Sequence, residues 1–303
     1  MIAAILTACL FALSAIFGRR STLYLGSQRA NLARQVVALV LLGLWAHTLG
    51  QGLHGATLTI LFISGVIGFG FGDWALFEAY PRIGSALTIL LCQCLAAPIA
   101  ALTEWLWLGT QMSHLQLASS AVILVGVALA MAPEHASDIP AGHRLAGTIF
   151  GVIAAMGQAW GAVLSRYAFQ QAHAAGFSLD GITAAYQRLW GGVATIAVML
   201  LIRQVTRHWH SPGAVAQRPD WRRGWPWILA NALAGATVGV SCYQWALKST
   251  PSAIVLPIVA TTPLVVMIIA FAFEGVRPSW RALVGAVLAV GGVVALVLTS
   301  VGR

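Results

Sequence analysis

Along this chain the apolar residues fall in continuous runs of about 18 to 24 positions, separated by short stretches of Gly, Pro, Arg and His. A helix needs about 20 apolar residues to cross roughly 30 Å of hydrocarbon, and in lipid only helices and closed barrels satisfy their own backbone. Barrel strands would alternate apolar and polar positions in segments of about ten residues. The runs here do not alternate, so the pattern predicts helices. Ten are expected, at 2–18, 31–49, 57–79, 84–108, 114–132, 145–166, 181–202, 227–247, 253–273 and 281–299. The longest connections are 133–144 and the basic stretch Arg203 to Arg223, which leaves no room for a soluble catalytic domain.

Composition agrees. Of 303 residues 59% are apolar and only 8% charged, against about 25% charged in an ordinary soluble domain. A globule in water would have to expose apolar surface over most of its exterior, which monomers rarely tolerate. The 12 Trp and 11 Phe are the reverse of a disordered composition. The expected class is therefore an all-α integral membrane protein. Ala12-Leu13-Ser14 loosely resembles a cleavage site, but no basic residue precedes the apolar core, so the first run is expected to be a retained span. Cys9, Cys92, Cys94 and Cys242 all lie within spans and suggest neither a disulfide framework nor a metal cage. No metal and no cofactor is expected.

The chain also repeats itself, and repeats dictate architecture. A shift of 167 places Gly68-xxx-Gly72 on Gly235-xxx-Gly239 and Ser85-Ala86 on Ser252-Ala253. After a two-residue slip Pro98 falls on Pro263 and Gly126 on Gly291. The second and seventh spans each carry an arginine near their start, Arg34 and Arg188. Two halves of five spans follow, 1–135 and 144–301, and because five is odd the second must run inverted relative to the first. Inverted repeats mark secondary transporters, whose substrate site lies near the bilayer midplane between the halves.

The stretch Gly72-Asp73-Trp-Ala-Leu-Phe77-Glu-Ala79, then Arg82-Ile-Gly84, Pro98-Ile-Ala-Ala, Trp107-Leu-Gly109 and Ile123-Leu-Val-Gly-Val, resembles an EamA-type repeat of the drug/metabolite transporter superfamily. The second half resembles it through Trp245-Ala-Leu, Pro263, Glu274 and Val290-Gly-Gly. The resemblance implies ten helices acting, without ATP, as an exporter or exchanger of small metabolites such as amino acids. It also implies an acidic residue ending the fourth and ninth spans. Glu274 fits the ninth; the fourth reads Leu108-Gly109-Thr110, so that acid is lost or moved to Glu104.

An ionisable group at membrane depth costs at least about 2.5–3.5 kcal/mol and needs a partner or a wet cavity. Arg34, Asp73, Glu78, Glu104 and Arg188 are such groups, with Arg166 near a span end. Depth counted along the helices puts Arg34 with Asp73 in one membrane half and Arg188 with Glu104 in the other. Two Arg–carboxylate pairs are therefore expected, as gates, ligand anchors or static struts. Burial favours the neutral form of a carboxylate, so protons are an expected coupling ion, through Asp73, Glu78 or Glu104.

Gln158, Trp160, Gln187, Tyr243, Gln244, Trp245 and Trp74 supply the mixture of flat aromatic walls and a few polar groups that an organic solute needs, although Trp and Tyr also gather at membrane interfaces. Pro98, Pro257 and Pro263 are expected to kink their helices and free carbonyls. The Gly-xxx-Gly pairs are expected to be close helix contacts. His208-Trp-His210 lacks a nearby carboxylate or thiolate and is poor metal evidence.

Of 17 basic residues, 12 fall on the side reached after the odd-numbered spans and three on the other. By the positive-inside rule both termini then lie outside the cytoplasm, whereas the family resemblance implies both inside. The net charge of +9 is thus a topological signal, and no nucleic-acid partner is expected. The expected partners are a small-molecule substrate and the lipid of a bacterial-type cytoplasmic (inner) membrane, the protein being a monomer or homodimer. The alternative to a carrier is a non-transporting membrane protein, such as a lipid-modifying enzyme or assembly factor, with the repeat as scaffold.

Overall fold

The computed structural model describes residues 1–131, 141–210, 219–274 and 279–301; most of the 133–144 connection, the basic residues Arg218, Arg277 and Arg303, and the side chains of Glu274, His208 and His210 lie outside what it describes. Among the described residues the structure is helical with no strand. Helix α1 (Ile2–Leu25) turns into α2 (Ser27–Thr48) through Gly26 alone, at φ 78°, a left-handed value that suits glycine. Helix α3 (Leu58–Gly65) runs through π-helical turns at Val66–Gly72 into α4 (Asp73–Leu108), followed by α5 (His114–Met131), α6 (Ala141–Ala174) and α7 (Gly181–His210). Helix α8 (Trp221–Asn231) likewise passes through π-helical turns at Ala232–Gly239 into α9 (Val240–Ser249), and α10 (Ser252–Val259), α11 (Thr262–Glu274) and α12 (Trp280–Val301) complete the chain.

Eight helices among the described residues are long and apolar enough to cross a membrane, and His114–Ala130 is a shorter apolar one. The eighth expected run lies in the rod α8–π–α9, whose apolar character is diluted by Asn231, Thr237, Ser241, Tyr243 and Gln244. Elsewhere the expected boundaries move. The third run does not stop at 79: helix continues past Pro81 and breaks at Gly84, φ 76°, because only a residue without Cβ adopts that conformation cheaply. Gly84 is the one non-helical residue inside α4, so Pro98 leaves it continuous. The ninth run is two helices, separated at Ala260–Thr261. Pro263 lacks the N–H that would bond the Val259 carbonyl and stands in the first turn of α11, where that loss costs nothing. The Thr262 hydroxyl donates to that carbonyl instead (2.6 Å), and Thr261 to Ile258 (2.7 Å).

The exterior is the apolar part: Leu44, Leu106, Val287 and Leu298 are exposed, while Gln35, Glu104, Gln187 and Gln244 are buried. A surface of this kind belongs in lipid. Helix packing is close where side chains are small. Helix α1 presents Ala4, Ala8, Ala12, Ala15 and Gly18 inward and lies along α8, its π turns and α9, as α6 lies along α3, the first π turns and α4. Further pairings join α2 to α7, α4 to α10 and α5 to α12. At α5–α12 a Cβ on Gly126 would stand 2.6 Å from the Ala289 backbone nitrogen, so the two backbones nearly touch.

Candidate functional site

Charged and aromatic side chains converge on one cavity to which both π-helical segments contribute, through Gly68 and Phe69 and through Gly235. The first π segment packs against α6 so closely that a Cβ on Gly157 would lie 2.5 Å from the Gly72 Cα. Gly65 of α3 meets the Arg188 backbone directly, and a Cβ there would overlap it. This crossing fixes Arg188 beside the first π segment, with its guanidinium 5.0 Å over the Phe69 ring. A Cβ on either Gly68 or Gly161 would sit 2.9 Å from Arg188 Nη2, so these glycines make the room the side chain occupies.

Arg34 donates through Nη2 to Asp73 Oδ2 and stacks 4.9 Å over Phe77. Its Nε donates to Asn31 Oδ1 (3.3 Å), which also accepts from Gln35 Nε2 (3.1 Å). Gln35 Nε2 reaches the Phe69 carbonyl at 3.0 Å and Asp73 Oδ2 at 3.4 Å. One amide thereby ties the π turn to the ion pair. Both arginines face a cavity of about 70 Å³, lined by Phe11, Ser14, Arg34, Gly68, Phe69, Asp73, Leu76, Phe77, Tyr80, Ile89, Cys92, Gln93, Gln158, Arg188, Gly235, Val240 and Tyr243. Its lining carries two guanidiniums and one carboxylate.

Arg188 has a different electrostatic position from Arg34. It is 4% exposed, its buried Nε has no partner, and no hydrogen bond or ion pair among the described residues engages it. The expected pairing of Arg188 with Glu104 does not form. Glu104 accepts from the Ser252 hydroxyl and from the Ala253 backbone N–H (2.8 Å), at the N-terminus of α10, where free amides and the helix dipole favour an anion. Counting residues along a helix gives a coarse depth and no lateral position: Arg188 shares a cavity with Arg34 and Asp73, the pair expected in the other membrane half, and Glu104 lies apart from it at α10.

The remaining expected residues divide. Asp73, Gln158 and Tyr243 line the cavity; Gln158 Nε2 donates to Gln93 Oε1 (3.3 Å), and the buried Tyr243 hydroxyl has no hydrogen-bond partner among the described residues. Glu78 accepts from Gln28 and Arg82, both at 2.7 Å, outside the cavity. Trp74 stands edge-on to Phe150, 5.4 Å away. Gln187 holds the 50–55 loop through the carbonyls of Gly52 (2.9 Å) and His54 (3.1 Å). Gln244 donates to Ser165 (3.4 Å), which meets Ser64 (3.0 Å), an internal tie among α9, α6 and α3. Trp160 and Trp245 face outward, 39% and 63% exposed.

Several lining residues lie beyond the sequence-based expectation. Phe69, Leu76, Phe77 and Tyr80 form a stripe with Asp73 at helical spacing, which the position of Asp73 alone could have revealed. Phe11, Ser14 and Gln93 carry no comparable signal. No group of three or more His, Cys, Asp or Glu stands together among the described residues.

Buried charges around a cavity inside an apolar helical shell define a multi-pass membrane protein of the transporter type. The model of the EamA-like transporter family matches residues 1–132 and again 145–298; the chain belongs to that family. A protein of known crystal structure, 13% identical, matches over 99% of each chain with a TM-score of 0.74, a likeness of fold. No curated protein matches the chain in sequence.

Proposed function

We propose that the protein is a secondary carrier for small organic metabolites, an exporter or exchanger, working by alternating access across a bacterial-type cytoplasmic (inner) membrane. The observation that carries this is the cavity itself. Its lining draws on both sequence halves, α1, α2, the first π turns and α4 from the first and α6, α7, the second π turns and α9 from the second, so a movement of the repeats relative to each other would open it to either face. Ten spans in two inverted repeats are part of the same reading. Both family-model matches, the π-helical turns at Val66–Gly72 and Ala232–Gly239, and the pairings α2–α7, α4–α10 and α5–α12 support it.

Asp73 is the carboxylate nearest to a coupling role, because it faces the cavity while Glu78 and Glu104 are engaged elsewhere. The carrier reading is tested by counterflow in proteoliposomes: purified protein is reconstituted with a panel of unlabelled organic acids, amides and amines inside, and labelled solute is offered outside. Accumulation of at least one solute above empty vesicles is expected. Failure of every class to exchange, with the protein folded and inserted, would overturn it.

A further inference from the structure

Arg188 is nine-tenths buried or more, lines the cavity and has no anion paired with it among the described residues. Desolvating a cation without a directly paired counter-charge is among the costliest things a fold can do, and the Phe69 face at 5.0 Å and the field of Asp73, already bonded to Arg34, offset only part of it. The repeat offset sharpens the point. A shift of 167, which relates the two Gly-xxx-Gly pairs, carries Asp73 onto Val240. Both residues line the cavity. Arg34 therefore meets an acid supplied by the chain, while the position equivalent to that acid in the second half, Val240, brings only a methyl-bearing side chain to the cavity, and Arg188 pairs with no carboxylate among the described residues.

We infer that the anion missing beside Arg188 is the carboxylate of the transported solute, an organic acid of single negative charge whose apolar body lies against Phe11, Phe77 and Tyr243. This rests on the carrier reading and adds the substrate class. One carboxylate brings the lining to neutrality, since two guanidiniums face one aspartate. The guanidinium fork suits a carboxylate bidentately, and the unpartnered Tyr243 hydroxyl offers a further donor. At about 70 Å³ the cavity holds a carboxyl head and a few carbons, so a larger body requires the site to open.

The test is equilibrium binding to the full-length protein in detergent, using 3-phenylpropionate, benzoate and acetate beside their uncharged amides. At least one acid is expected to bind about 10- to 100-fold tighter than its amide, the worth of a charge-assisted hydrogen bond. Arg188→Gln is expected to abolish that preference and Arg188→Lys to keep part of it. Val240→Asp, which adds a second carboxylate to the cavity lining and so neutralises it internally, is expected to abolish acid binding with no loss of thermal stability. Equal binding of acids and amides, no binding of any acid, or a preference that survives Arg188→Gln would overturn the inference. The carrier reading is judged separately: exchange of amides or amines in proteoliposomes without acid selectivity sinks the anion site and leaves the carrier standing.

Discussion

Arg34 and Arg188 face the same cavity, but only Arg34 has a carboxylate to meet, Asp73. The two arginines should therefore respond to removal in opposite senses. Arg34→Met strands a buried Asp73 with Gln35 as its remaining hydrogen-bond donor at 3.4 Å, and breaking a buried pair from one side costs about 3–5 kcal/mol. Arg188→Met removes a buried charge that only the Phe69 face and the more distant field of Asp73 offset, so the unliganded protein should gain stability, as residues kept for function often trade against it. Thermal unfolding of the two variants in detergent checks this; shifts of the same sign would contradict it. The double change Arg34→Met with Asp73→Leu should recover most of the loss.

Asp73 is the cavity's only carboxylate among the described residues, which makes it the test of coupling. Asp73→Asn keeps a hydrogen-bond acceptor for Arg34 but cannot release a proton. Uptake driven by an imposed pH gradient should fall to the background rate, while counterflow exchange, which needs no net proton movement, should stay within about tenfold of the parent. If gradient-driven uptake persists, coupling runs through another group or another ion.

Most of the residues that sequence alone brings to the cavity are those whose presence in lipid is costly, Arg34, Asp73, Arg188 and the amide Gln158, with Tyr243 the one aromatic candidate beside them. At that depth such groups survive only against a polar partner or a wet cavity, which narrows where they can point. Aromatic residues behave differently, because a Trp is equally at home in a pocket wall, a helix contact or the interface with lipid. Trp74 packs on Phe150 and Trp245 faces outward, yet nothing in their neighbours' identity separates them from Phe77, which lines the cavity. In a soluble helix a polar face would disclose the azimuth; here the face toward lipid and the face toward the core are both apolar. The π-helical turns are illegible for a related reason. They lie where glycines let other helices approach closely, α6 and α7 at the first segment and α1 and α2 at the second, a tertiary circumstance, and Gly-xxx-Gly spacing signals such contact without specifying the widened turn.

Gly65 and Gly68, neighbours along one rod, should fail in different ways. A Cβ on Gly65 would overlap the Arg188 backbone, whereas one on Gly68 would press on the far end of its side chain, Nη2, at 2.9 Å. Overpacking that moves backbone costs about 1–3 kcal/mol or more. Gly65→Ala should lower the unfolding midpoint and the yield of folded protein; Gly68→Ala should leave stability near the parent and weaken ligand affinity by displacing the guanidinium. Thermal scans paired with binding measurements separate the two outcomes, and equal destabilisation by both would show that the guanidinium has no freedom to yield.

The orientation in the membrane pits two arguments against each other. The family resemblance implies termini in the cytoplasm, but charge implies the opposite. Arg19, Arg20 and Arg29 flank the α1–α2 turn, Arg82 sits near the Gly84 break, and Arg222 and Arg223 open α8; all belong to the ends that carry 12 of the 17 basic residues, against three on the other side. Orientation follows this bias because basic segments resist translocation, and the bias here is far from balanced. Both termini should therefore lie outside the cytoplasm. A C-terminal reporter that is active only in the cytoplasm should be dark, and one active only outside it should be bright, with the pattern reversed for fusions in the α1–α2 turn. A bright cytoplasmic C-terminal fusion would mean that the inserted orientation is set by something other than these arginines, and substituting Arg222 and Arg223 would then leave it unchanged.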